Sequence, residues 1–197
     1  MQIRDLRVLT GILTIMVVID AVWTPVVLTT ALVAPAMFQA IVTPVASSVD
    51  LAAGLFKITT MIVFACWIYV AGRNLLAADF NDLEFTPASR IWWFAVPIAS
   101  LFKPFQGMRE LWNASRGVSA YETNDSLVSG WWALWLLNNL GSFFIGFASG
   151  AANMANVGMW VASVIDLALA VFAIMLIRGI ALAQQGLSGE NLAEVFA

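Results

Sequence analysis

The chain has 197 residues, 61% hydrophobic and 11% charged, with a net charge of −3 and no histidine. Soluble domains carry about a quarter charged residues, and this much apolar surface cannot hide in one core, so most of it must face lipid. A soluble enzyme, a nucleic-acid binder and a disordered chain are thereby excluded. The missing histidine removes the commonest metal ligand and general base, the single Cys66 removes disulfides and thiolate clusters, and no cofactor is expected.

Four apolar stretches, about 8–32, 51–71, 127–148 and 157–177, predict a single all-α integral membrane domain over 1–197 with four transmembrane helices. Each has about 20 residues or more, enough to cross about 30 Å of hydrocarbon. The first opens on Arg4 and Arg7, and Ala34-Pro35-Ala36 imitates a signal-peptide cleavage site. Its length, with Asp20 and Pro25 inside it, favours a retained span. Residues 33–50 are broken by Pro35 and Pro44, while Phe38, Ile41 and Val42 share a helical face. This fits either a short interfacial helix or an ordered loop. Residues 73–90, with Asp79, Asp82 and Glu84, read as a solvated loop and lack the calcium-loop pattern.

The stretch 91–103 is apolar but too short to cross, about 18 Å as a helix. Arg90 and Lys103 bracket it, and Pro97 interrupts it. It reads as a re-entrant or interfacial segment, with Trp92 and Trp93 at headgroup level. Pro104 suits the first turn of a new helix. Over 104–116, Phe105, Met108, Leu111 and Trp112 share one face, and Gln106, Arg109, Glu110, Asn113 and Arg116 share the other. That pattern predicts an amphipathic helix on the inner membrane surface, cations toward the headgroups. Gly186 is expected to end the fourth helix, leaving a short amphipathic tail.

Four crossings put both termini on one side. Eight of the nine cations fall there, and the loops on the other side carry none. The positive-inside rule makes that side cytoplasmic. The exception, Lys57, lies within a span.

The middle of the chain carries a recognisable series. Arg73-Asn74 closes the second span and Pro87 follows, then Trp92-Trp93-Phe94, Pro97, Lys103-Pro104-Phe105, Met108, Glu110-Leu111-Trp112, and Trp131-Trp132 with Trp135. Over about 51–185 it resembles the bacterial membrane-protein family of domain of unknown function 4328, most specifically from Trp93 to Trp112. The family pattern has an Asn shortly before the basic-Pro pair, where Ser100 stands here. The resemblance implies a multi-pass protein of the bacterial inner membrane and brings no reaction. It gives weight to Trp93, Pro97, Lys103, Pro104, Arg109, Glu110 and Trp112 as contacts for a partner or for lipid.

Ionisable residues inside a span are costly and are functional candidates by default. Asp20, Lys57 and Asp166 are such residues, and Asn138 and Asn139 add amides. Counting along the helices puts Asp20, Asp166 and the Asn pair about 18 Å from the inner boundary. Lys57 lies about 9 Å below the outer one, a difference its side chain can span. Asn139, Ser142, Gly146 and Ser149 share one side of the third span, and Gly146 and Gly150 form a GxxxG pair. Ala162, Asp166, Ala170 and Ala173 form a stripe of mostly small residues on the fourth, suited to close helix packing. Two readings stay open: Lys57 pairs with Asp20 or Asp166 while the amides satisfy the rest, or the cluster moves protons or cations.

Small size, no internal repeat and no reactive groups favour a non-catalytic accessory or scaffold subunit. Its partners would be the bilayer, other integral membrane proteins or further copies of itself. The alternative is a small proton- or ion-coupled transporter or channel. An enzyme ranks last, because Arg109 and Glu110 have no catalytic companion.

Overall fold

The computed structural model describes residues 3–80, 82–119, 124–148 and 152–195, with side chains outside 142–148, 152–156 and 188–195. Every regular element among the described residues is helical. The α-helices in order are α1 (Arg7–Val33), α2 (Pro35–Ile41), α3 (Ala46–Ala77), α4 (Ser89–Trp92), α5 (Lys103–Ser115), α6 (Ser126–Ala148) and α7 (Ala152–Val195). Among the described residues, three stretches are long and apolar enough to cross a membrane: Arg7–Val33, Pro35–Ala77 and Val157–Leu187. The 23 residues of α6 form a further apolar helix, about 35 Å long.

Proline sets several of these boundaries. Pro35 stands in the first turn of α2, where its missing N–H costs nothing. Pro25 lies inside α1 and leaves the Ala21 carbonyl without its helical donor. The segment around Phe38 is thus a short helix, with no buried residue. The second apolar stretch extends beyond 51–71 at both ends.

Gly186 does not end the last helix. A glycine stop needs the left-handed backbone, and among the described glycines Gly117 alone has a positive φ, 69°. Gly117 closes α5 in a Schellman turn: its N–H donates to the Ala114 carbonyl (3.1 Å) and that of Val118 to Asn113 (3.0 Å). Residues 91–103 do not form one helix. They run through α4, 3-10 turns at Trp93–Ala95 and Ala99–Leu101, and a bend where Ile98 has φ 67°. A β-branched residue rarely adopts that conformation, and Ile98 is held there just after Pro97.

The helices form a row. α6 packs along α7, α7 along α1, and α1 along α3. α5 packs across the row at one end of the long helices, against α3, α4, α6 and α7. The core lies at that end and contains Leu13, Trp67, Leu75, Leu111, Trp112 and Ile177. Burial there is selective. Along α1, Val8, Ile15 and Val26 stay more than half exposed, as apolar side chains do when lipid is their solvent.

The polar face expected on 104–116 is corrected by this packing. Glu84, Phe85 and Arg90 bond to Glu110, which is 0% exposed, and Asn113 is 2% exposed, while Arg116 stays exposed. Trp112, on the opposite face, is also buried: its ring covers Gly179 of α7, where a Cβ would meet the ring at 2.6 Å. The hydrophobic period correctly marks a helix. It does not say that part of the polar face is covered as well.

Candidate functional site

The five polar residues expected inside the spans come together. Asp20 of α1, Lys57 of α3, Asn138 and Asn139 of α6, and Asp166 of α7 all line one cavity of about 720 Å³. Its walls are apolar, including Phe64, Trp135 and Leu169, and Ile91 and Phe94 reach it from the central segment. A second cavity of about 160 Å³ shares Asp20, Lys57 and Asp166 and extends toward Trp131 and Ile177. The small-residue stripe of α7 faces these spaces, with Ala162 in the larger and Ala170 and Ala173 in the smaller.

The groove exists because the row of helices does not close. α3 and α6 stand at its two ends, joined where the rings of Phe64 and Trp131 meet edge to face at 6.4 Å. The Lys57 side chain is 55% exposed and Met61 is 64% exposed, so the groove is open sideways.

The charges inside are loosely matched. Lys57 Nζ lies 3.9 Å from Asp20 Oδ2, at the outer limit of an ion pair. The Asn138 amide donates to Asp166 Oδ1 at 2.7 Å. Asn139 donates to the Trp135 carbonyl of its own helix at 2.8 Å. Two carboxylates thus face one ammonium. No group of three or more His, Cys, Asp or Glu among the described residues could hold a metal ion. Cys66 is exposed and is not part of either cavity wall. The arrangement can bind and orient charge.

A second constellation holds the central segment. Arg90 is buried, and its Nη2 donates to Glu110 Oε1. The same carboxylate accepts the backbone N–H groups of Glu84 (2.7 Å) and Phe85 (3.2 Å). Arg90 Nε and Nη1 have no hydrogen-bond partner. Burial holds the Arg90 pKa below its ordinary value, while Glu110 pulls it back up. Two glycines make room for this side chain. A Cβ on Gly72 would lie 2.7 Å from Arg90 Nη1, and one on Gly107 would lie 3.3 Å from its Cγ.

Beside this pair, Asn74 clamps the N-terminal segment. Its side chain accepts from the Arg4 N–H (2.8 Å) and donates to the Arg4 carbonyl (2.9 Å). Buried Gln184 of α7 accepts from Asn74 (3.0 Å) and donates to the Ala71 carbonyl (3.0 Å) and Ser115 Oγ (2.9 Å). Three helices and the chain start thereby share one satisfied network.

The expected contact residues of the central motif divide. Pro104, Glu110 and Trp112 point inward and are buried, so they offer no surface to a partner or to lipid. Pro97 is exposed, and Trp93, Lys103 and Arg109 are half-buried. Lys103 pairs with Glu84 at 3.2 Å, and Arg109 donates to Asn124 Oδ1 at 2.7 Å. Trp112 Nε1 donates to Asp125 at 2.9 Å. Sequence reasoning missed Arg90, Asn74 and Gln184 as interior residues. Their positions at the ends of apolar stretches look solvated, and only the covering segments reverse that. The GxxxG pair and Ser149 lie outside the residues whose side chains are described.

Residues 29–182 match the family described as a domain of unknown function (DUF4328). No curated protein and no solved structure matches the chain. The match runs from the end of α1 through most of α7 and includes Lys57, Arg90, Glu110, Asn138 and Asp166, while Asp20 lies before it. The open helical row and its locked central segment therefore belong to a member of the DUF4328 family.

Proposed function

We propose that this chain is a non-catalytic accessory subunit of a bacterial inner-membrane assembly. In this reading α1, α3, α6 and α7 are four crossings, both termini are cytoplasmic, and 91–103 sits at or dips into the inner interface. The observation that carries it is the open groove between α3 and α6. A charged side chain facing lipid near mid-depth costs about 3 kcal/mol on insertion scales. Lys57 and Asp20 are both partly exposed there. A helix from another subunit, laid between α3 and α6, would cover them and add the close packing that small residues permit. The locked central segment supports the same reading, because it gives the groove a rigid inner wall at Ile91 and Phe94.

The test is mild extraction from the native membrane followed by mass determination of the intact particle. A particle containing other membrane subunits is expected. A monodisperse lone protomer would overturn the reading. The same preparation in liposomes separates this role from transport: no proton or ion flux is expected. Flux abolished by Asp20→Asn together with Asp166→Asn would replace an accessory role with a transport one.

A further inference from the structure

Resting on that accessory role, we infer that the groove receives a partner's transmembrane helix carrying one Lys or Arg at mid-depth, and that this cation pairs with Asp166. The groove holds Asp20, Asp166 and Lys57, one carboxylate more than it has ammonium groups. Lys57 stands within ion-pair range of Asp20. Asp166 has the amide of Asn138, a neutral donor that satisfies one oxygen without balancing the charge, and it shares the field of Lys57 with Asp20. With one ammonium for two carboxylates, the site is one cation short.

The source of that cation follows from depth and from arithmetic. Asp166 is twelve residues from Arg178, about 18 Å along the helix and close to the middle of a 30 Å core. An amine on a lipid headgroup stays at the interface, about 12 Å or more away. A second copy of this chain brings the same surplus of one carboxylate, so it cannot supply the charge. A proton or a free metal ion would balance the charge but leave the open flank of the groove uncovered, with Lys57 55% and Met61 64% exposed; a basic residue on a helix of a different subunit does both. The walls suit it. Ala162 beside Asp166 lets a backbone approach, and Phe64, Phe94 and Trp135 offer aromatic faces to an ammonium or guanidinium.

The experiment places a diazirine-bearing residue at Ala65, on the groove wall, in the full chain in its native membrane, and identifies the crosslinked peptide. The expected product is an apolar helix with a Lys or Arg in its middle third. Co-extraction of that partner is expected to fall about tenfold or more in Asp166→Asn and to persist in Asp166→Glu. Asp166→Lys is expected to lose the partner, and replacing the partner's basic residue by Asp is expected to restore it. Crosslinks only to lipid, only to a second copy, or to a helix without a basic residue would overturn the inference. An undiminished complex in Asp166→Asn would also overturn it while leaving the accessory role standing. Absence of any complex around the wild-type chain would overturn both. The crosslink needs no change at Asp166, so misfolding of a variant cannot hide the answer.

Discussion

Two ion pairs flank the central segment, and burial separates them. Arg90–Glu110 has side chains 1% and 0% exposed, whereas Lys103–Glu84 has 28% and 50%. Removing one partner of a buried pair strands the other charge away from water, at about 3–5 kcal/mol. An exposed pair gains little over solvent. Arg90→Ala is therefore expected to lower the thermal unfolding midpoint in detergent by the equivalent of about 3–5 kcal/mol. Lys103→Ala is expected to change it by about 0.5 kcal/mol or less. Equal losses would show that Arg90 gains nothing from its burial against Gly72. Asn74→Ala tests the neighbouring network. It removes the amide that holds Arg4 and one partner of Gln184. Faster proteolysis near the N-terminus is expected, since the first residues would then lose their anchor. In the sequence Arg90 and Lys103 look alike, as cations bracketing an apolar run. No periodicity distinguishes them, because the cover over Arg90 comes from α3 and α5, distant in the chain.

At the scale of the helices, close approach decides which glycines matter. Gly179 lies under the Trp112 ring and Gly130 under the Phe172 ring, where a Cβ would meet ring carbon at 2.6 and 2.4 Å. Gly54 has nothing within 4 Å. Gly179→Ala is expected to push α5 off α7 and cost about 1–3 kcal/mol, with a changed tryptophan emission spectrum as Trp112 moves. Gly54→Ala is expected to be neutral or to stabilise by up to about 1 kcal/mol, since alanine is the better helix former. Thermal unfolding of both variants in one detergent checks the contrast. The same logic explains the misread face of α5. Its spacing declares a helix with an apolar and a polar side, and both exist. The polar side carries Glu110, which accepts three donors from residues 84–90. A charge on a helix face means solvent only when no other segment of the chain supplies the hydrogen bonds.

For the whole molecule, sidedness is the first thing to measure. In a Cys66→Ser background, a membrane-impermeant maleimide is expected to label Ala36→Cys in intact spheroplasts and Ser119→Cys only after lysis. The reverse pattern would invert the topology, and labelling of both before lysis would remove the four-span reading. Composition and hydropathy alone determined that the chain is helical and lipid-facing, because the cost of exposing backbone and charge to hydrocarbon leaves few other structures. Rise per residue, which converts position into height, also predicts Asp20, Lys57, Asn138, Asn139 and Asp166 at nearly one depth, and the five do line one cavity. Tertiary structure decided what those residues surround. α3 and α6 stand at the two ends of the row instead of packing along one another, so the polar groups line an open groove. It also decided that Arg90 and Glu110 form an interior lock, since burial depends on which distant segments cover a residue, and local pattern carries no record of that.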